Sequence, residues 1–226
     1  MNEIFSSPFF GIALSICTFE LGVLIQKKTR CTLLNPLLIS VTLCILILEV
    51  FHISLKNYRV GGSVISAFLG PATAVLAISV YSQLSLLKKT YIPVIAGTVV
   101  GSAVSVSSVY FLCRVFGISD VLTKSMLTKS ISTPFALAVS KDIGGICSIS
   151  VAAVVLTGIF GAVSAPLMIR LFRIKNPVAQ GIAIGTCSHA VGTSKAIELG
   201  EVQGAMSSIA LIMTGLITVL IFCLIS

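Results

Sequence analysis

The sequence predicts an all-α integral membrane protein with about six to eight membrane segments, some of them discontinuous or re-entrant. Of its 226 residues, 56% are hydrophobic and 10% are charged, with a mean hydropathy of +1.11, whereas soluble domains average about 25% charged residues. The apolar residues form successive runs of about 20, the length of a membrane-spanning helix. Three polar stretches broken by glycine or proline lie among these runs. Such backbone persists at membrane depth only inside protein or beside water.

Composition also argues against several functional classes. The net charge of +8 is spread over short loops, which is typical of topogenic residues and of contact with anionic lipid; we expect no nucleic-acid partner. The seven cysteines are scattered without a CxxC pattern, so neither a metal site nor a disulfide framework is expected. Nucleophile-elbow, Walker, HExxH and dinucleotide motifs do not occur. We therefore expect a protein that is not an enzyme and needs no cofactor.

Eight segments follow from the apolar runs and the amphipathic stretches between them, at about residues 5–25, 33–53, 60–82, 91–113, 118–142, 145–169, 177–200 and 203–225.

The first four predicted segments are set by their flanking residues. The first ends at the basic Lys27–Arg30, and the second opens with Asn35–Pro36, where proline suits a helix start because its missing N–H is not needed there. The third segment is weaker and contains the dipeptide Gly70–Pro71. The fourth carries Gly97 and Gly101 together with a serine-rich face.

The last four predicted segments alternate between polar and apolar character. The fifth is amphipathic and includes Lys129, whereas the sixth is apolar, carries Gly158 and Gly161 and ends at Arg170. The seventh holds the most polar stretch of the chain, Gly185–Gly200, and the eighth is an apolar span. The polar stretch is where we expect the protein to meet a solute.

Three broken segments share one pattern. Leu69–Ala77, Ser130–Ala138 and Ser188–Ala196 each combine small residues, a proline or glycine, and a short helix-prone run, and an apolar span with glycine follows each within about 30 residues. Interrupted segments at matching places indicate the binding site of a secondary transporter, so we expect an internal inverted repeat. The alternative is ordinary spans that are kinked by proline or packed through glycine.

Helix ends created by these breaks would favour an anion. A helix that restarts at Pro71 or Pro134 exposes unpaired N–H groups and the positive end of its dipole. Thr73, Ser132 and Thr133 would add hydroxyl donors, or would only cap their own helices.

Cationic side chains near the breaks are the candidate counter-charges. Lys129 would attract an anion, or would extend to the headgroups; Lys195 would do the same, or would pair with Glu198 on the same helical face. His189 could carry a proton, or could be hydrogen-bonded within the protein. The predicted substrate-binding residues are Pro71, Thr73, Lys129, Ser132, Thr133, Pro134, Ser188, His189, Thr193 and Lys195.

Seven motifs resemble the LrgB/CidB family and occur in the family's order over nearly the whole chain. They are Asn35–Ile39, Phe68–Thr73, Lys129–Pro134, Gly158–Ala162, Leu171–Pro177, Ser188–Ala196 and Gly200–Ser207. The resemblance implies a single LrgB-like transmembrane domain over residues 1–226. Ser79 departs from it, because a proline is expected there, and a serine would straighten the first broken segment.

The resemblance implies two kinds of function. Bacterial members of the family that this chain resembles are described as antiholin-like regulators of murein hydrolase export and autolysis. They work with a small holin-like membrane protein of the LrgA/CidA type. Plastid relatives fused to such a partner are similar to glycolate/glycerate translocators, and some bacterial pairs are described as pyruvate carriers. Because a compact carboxylate suits the expected site, we expect a carrier or facilitator of small monocarboxylates, with or without proton coupling. The alternative is a non-transporting antiholin-like regulator. In either case we expect a multi-pass homodimer in the inner membrane.

Overall fold

The computed structural model describes residues 5–29, 34, 36–68, 71, 74, 78, 81 and 84–225. These residues form helices and no strand, so the all-α prediction is confirmed for them. The helices are α1 Pro8–Thr29, α2 Pro36–Val50, α3 Leu55–Ala67, α4 Leu84–Val115, α5 Asp120–Leu127, α6 Thr133–Asp142, α7 Cys147–Leu171, α8 Pro177–Leu199 and α9 Glu201–Ile225.

Four helices in the described part of the chain are long and apolar enough to cross a membrane. They are Pro8–Thr29, Leu87–Val115, Cys147–Leu171 and Glu201–Leu224, and α2 is a shorter apolar helix. The shortest of the four has 22 residues, or about 33 Å of helix, against a hydrocarbon core of about 30 Å. The protein is therefore a multi-pass membrane protein. The count of six to eight segments and the inverted repeat stay predictions.

The predicted fifth segment is two helices. Its interruption lies between α5 and α6, where the Ser130–Pro134 stretch predicts one. The first predicted break, at Gly70–Pro71, is described only in part. Pro71 is exposed, whereas Thr73 and Ser79 lie outside the described residues.

The chain divides into two compact units, residues 1–73 and residues 74–226. The expectation of a single domain stays a prediction.

In the first unit, α1 packs against α2 and α3. Glycine allows the α1–α3 crossing, because a Cβ atom added to Gly61 would lie 2.8 Å from Gly11 Cα. Between α1 and α2, the Thr18 and Ser40 hydroxyls lie 3.0 Å apart and are both buried. Small residues and interhelical hydroxyl contacts are the usual means by which helices associate in lipid.

In the second unit, α8 is central, since it packs along α9 and also against α7 and α4. Gly181 and Gly185 lie one turn apart on α8 and contact the α9 backbone; a Cβ atom added to Gly181 would lie 2.5 Å from the Gln203 oxygen. This small-xxx-small spacing permits close helix approach. It brings α8 and α9 together just before the break at His189, which is described next.

Candidate functional site

Helix α8 is interrupted at His189, as the sequence predicts for this stretch. His189 has φ 40° and ψ −137°, a conformation that ends one helical run and starts another. Positive φ at a residue with a side chain costs on the order of 1–3 kcal/mol and persists only where the surroundings impose it. The imidazole is 3% exposed, and its Nε2 donates a hydrogen bond to the Val154 carbonyl of α7 at 2.9 Å.

Two glycines of α7 make room for this interruption. A Cβ atom on Gly158 would lie 2.6 Å from His189 Cε1, and one on Gly161 would overlap the Ser188 hydroxyl. Because they are three residues apart, both glycines face α8. The sequence identifies Gly158 and Gly161 as features of an apolar span, and the structure shows that they accommodate the broken helix.

Thr193 closes the turn that follows the break. Its hydroxyl donates to the His189 carbonyl at 2.8 Å and lies 2.9 Å from the Ser207 hydroxyl of α9. Since the Thr193 hydrogen is used on His189, Ser207 donates to Thr193. Both hydroxyls are buried, so Thr193 has a structural role in addition to any contact with a solute.

The second interruption lies in the Thr128–Ser132 loop, directly before α6. Ser132 occupies the cap position, yet its side chain makes no cap hydrogen bond. Its hydroxyl is without a partner among the described residues, and the side chain is 4% exposed. Thr133 and Pro134 form the first turn and are half-buried. The start of α6 therefore presents helix-end N–H groups and a buried, unused hydroxyl.

Lys129 lies in this loop. It is half-buried, and its ammonium donates to the Ser130 hydroxyl at 3.0 Å. Ser105 of α4 donates to the same oxygen at 2.7 Å, which leaves the Ser130 O–H as a free donor. Within the described residues Lys129 has no carboxylate at ion-pair distance.

The two interruptions are neighbours. Lys129 lies within electrostatic range of Cys187 and His189, both at the break of α8. The loop and the break thus place one uncompensated ammonium, several hydroxyls and a buried imidazole in one region of the second unit.

The remaining predicted residues are not joined to this cluster by the described contacts. The Lys195 ammonium lies 2.6 Å from a Glu198 carboxylate oxygen, the pairing that the sequence leaves open. Pro71 is exposed and belongs to the first unit, and Thr73 lies outside the described residues.

Three further buried hydroxyls are not among the predicted substrate-binding residues. Ser102 of α4, Thr186 of α8 and Thr214 of α9 have no hydrogen-bond partner in the described part of the chain. Gly101 contacts the Thr186 side chain, which brings α4 and α8 together at this level. The serine-rich face of the fourth segment was a signal for Ser102, and the polar stretch Gly185–Gly200 includes Thr186. Thr214 becomes notable only through its burial.

The groups described here are donors of the kind that suit a small anion or water. An unsatisfied buried hydroxyl costs on the order of 1–3 kcal/mol, so a hydrogen-bonding solute or water at each of them would be stabilising. Nothing in the described ranges groups three His, Cys, Asp or Glu side chains in a way that could hold a metal ion.

Comparison with known proteins identifies the family. The model of the LrgB-like family matches residues 15–226. Antiholin-like protein LrgB of Bacillus subtilis (strain 168) is 39% identical over 216 residues, covering 95% of this chain and 94% of the relative. The proteins of the same name from Bacillus mycoides (strain KBAB4) and Bacillus cereus (strain B4264) are 38% and 37% identical over the same shares of each chain. No solved structure matches significantly. The chain belongs to the LrgB-like family.

Proposed function

We propose that this chain is an antiholin-like protein of the cytoplasmic membrane. The similarity over 95% of the chain to relatives that are named antiholin-like carries this proposal. The multi-pass character fits such a role. In this role the protein restrains murein hydrolase export and autolysis together with a small holin-like membrane protein.

The antiholin proposal is tested in cells that lack the gene. We expect faster autolysis and more extracellular murein hydrolase activity, measured by zymography, with both restored by the wild-type gene. A deletion strain with unchanged autolysis and an unchanged zymogram would count against it.

A second candidate function is the carriage of small monocarboxylates, and the Lys129 cluster favours it. An ammonium that is half-buried without a carboxylate is costly at membrane depth unless a counter-charge arrives. A solute carboxylate would supply that charge and would accept hydrogen bonds from the Ser130 and Ser132 hydroxyls. The nearby start of α6 adds a favourable dipole.

The cluster also indicates the size and charge of the solute. Lys129 is the single ammonium among the described residues that these contacts join, which suits one negative charge rather than two. The surrounding hydroxyls are closely packed and buried, which suits a compact molecule. A 2-oxo or 2-hydroxy acid of two or three carbons meets both conditions.

Uptake of labelled pyruvate and glycolate into proteoliposomes tests this second candidate. A carboxylate about 4 Å from Lys129 gains about 1 kcal/mol in water and about 4 kcal/mol at an effective dielectric constant of about 20. About 1.4 kcal/mol corresponds to a tenfold change in a dissociation constant. We therefore expect Lys129→Gln to raise KM at least about tenfold and Lys129→Arg to raise it less. Lys124→Gln, at an exposed lysine of α5, is the matched control.

The two proposals fail separately. If wild-type vesicles show no uptake with or without a co-reconstituted holin-like protein, the carrier proposal is rejected and the antiholin proposal is unaffected. If uptake occurs but Lys129→Gln leaves KM within twofold, transport does not use this cluster.

A further inference from the structure

An open groove of about 1080 Å³ lies among the three helices of the first unit. Its wall is mostly apolar, but it includes two charged side chains, Glu20 of α1 and Arg59 of α3. Both are exposed. Neither has an ion-pair or hydrogen-bond partner among the described residues.

The position of Glu20 makes its lack of a partner significant. It lies near the middle of α1, a 22-residue helix suited to spanning the membrane. Ionisable side chains at this depth are rare; they face a bundle interior or a wet cavity and pair with one another. The charge of Glu20 is therefore expected to meet an opposite charge when the protein is assembled in the membrane.

We infer that this groove is a two-fold symmetric interface between two copies of the chain, in which Glu20 of each copy pairs with Arg59 of the other. One acid and one base on the same groove make the surface complementary to itself. A two-fold axis then forms both pairs at once, because in such an interface the same patch is used by both subunits.

The groove wall is also shaped for close approach of a helix. The α3 side carries Gly62, Ser63 and Ser66, and a Cβ atom added to Gly62 would meet only Tyr58 Cε1, at 3.8 Å. Small residues are enriched where helices pack against each other in lipid. The face of α3 that carries Gly61 packs against α1, whereas the face that carries Gly62 is open within the unit.

Charge reversal in the full-length protein tests the interface. Copies labelled with donor and acceptor dyes are reconstituted in liposomes, and energy transfer is measured as the protein-to-lipid ratio is varied. Glu20→Arg alone, or Arg59→Glu alone, places like charges in both pairs of the dimer. We expect each single variant to weaken self-association at least about tenfold, since two polar interhelical contacts are lost together.

Mixing the two single variants is the decisive arm. When the Glu20→Arg copy meets the Arg59→Glu copy, both pairs across the interface are again opposite in sign. We therefore expect energy transfer to return in the mixture while each variant alone stays dissociated. Pairing of Glu20 and Arg59 within one copy, or coverage of the groove by another part of the same chain, predicts no rescue by mixing.

Two controls keep the outcome decisive. Glu49→Arg on α2 and Lys56→Glu on α3 make the same charge changes at exposed residues outside the groove, and we expect unchanged energy transfer. Helical circular dichroism of every variant confirms folding. Wild-type energy transfer no greater than random proximity, single variants that associate like wild type, or a mixture that stays dissociated would each overturn the inference.

Discussion

Gly158→Ala is the sharpest test of the broken helix, because a single methyl group meets the buried imidazole. The added Cβ atom would lie 2.6 Å from His189 Cε1 and 3.0 Å from Val191 Cβ. Carbon atoms do not approach to 2.6 Å, so the ring must move. Its hydrogen bond to the Val154 carbonyl, 2.9 Å long, would be strained or lost.

The expected cost follows from three contributions. Overpacking a filled interior costs about 1–3 kcal/mol, and a lost buried hydrogen bond costs about 1–3 kcal/mol. Alanine gains about 0.5–1 kcal/mol over glycine within a helix. The net destabilisation is about 1–5 kcal/mol, which at about 2–4 °C per kcal/mol lowers Tm by several degrees.

Thermal unfolding in detergent, followed by circular dichroism, measures this effect. Gly62→Ala, measured on monomeric protein so that no second copy covers α3, is the matched control; its Cβ atom meets only Tyr58 Cε1 at 3.8 Å, and we expect an equal or higher Tm. A double-mutant cycle with His189→Ala isolates the contact: the cost of Gly158→Ala should fall when the ring is absent. A Tm unchanged by Gly158→Ala, or a cost independent of the ring, would refute the reasoning.

Three further predictions concern packing and charge. Ser125→Ala removes a fully buried hydroxyl that accepts the N–H before α7 at 2.7 Å, so we expect a loss of about 1–3 kcal/mol in detergent unfolding; a loss below about 0.5 kcal/mol would contradict this. Gly61→Ala pushes a methyl group into the α1 backbone and should expose α1 to proteolysis in the monomeric protein, whereas Gly62→Ala should match wild type there; equal protease patterns would contradict the α1–α3 crossing. The Lys195 ammonium lies 2.6 Å from a Glu198 carboxylate oxygen. Lys195→Ala and Glu198→Gln should therefore each change Tm by about 1–2 °C or less, and both should leave solute uptake unchanged. A loss of uptake in Lys195→Ala alone would return Lys195 to the binding site.

Several segment positions could be predicted closely from hydropathy and from the residues that begin and end helices, but the third was not: it was expected at about 60–82, whereas α3 is Leu55–Ala67. The seventh segment, predicted at about 177–200, matches α8 Pro177–Leu199, whose first turn is capped by the Asn176 side chain, which accepts from Val178 N–H at 2.9 Å. The break at His189 was also foreseeable, because a polar stretch rich in glycine cannot remain a lipid-facing helix. These features depend on local sequence, which is why they could be read from it.

Tertiary relations could not be predicted in the same way. From the sequence, Lys129 and Lys195 are equally good candidates for the counter-charge of an anion. In the structure the Lys129 ammonium donates to Ser130, whereas the Lys195 ammonium pairs with Glu198. The difference arises from α4, since Ser105 contacts Ser130 of the Lys129 loop from 25 positions away along the chain. No spacing rule encodes such a meeting of distant segments.

The kink at Thr90 shows the same limit within one helix. Thr90 has φ −126° and ψ 22°, inside a run that is otherwise helical from Leu84 to Val115. The predicted segment starts at residue 91 and so places a helix start where the structure has a bend. Pro93 was the available signal, because proline disturbs the turn before it.

The interior of the second unit bears on the choice between the two candidate functions. A regulator that acted only through surface contacts would gain nothing from an uncompensated ammonium beside Ser130, or from the buried hydroxyls of Ser102, Ser132 and Thr186, which have no partner among the residues that the structure describes. Each such hydroxyl lowers stability by about 1–3 kcal/mol unless something binds it, and apolar residues of similar size would avoid that cost. An antiholin-like role that keeps this interior therefore requires water or a small anion to reach it. Solute binding and regulation are then compatible, and a regulator that senses the anion it binds would need both.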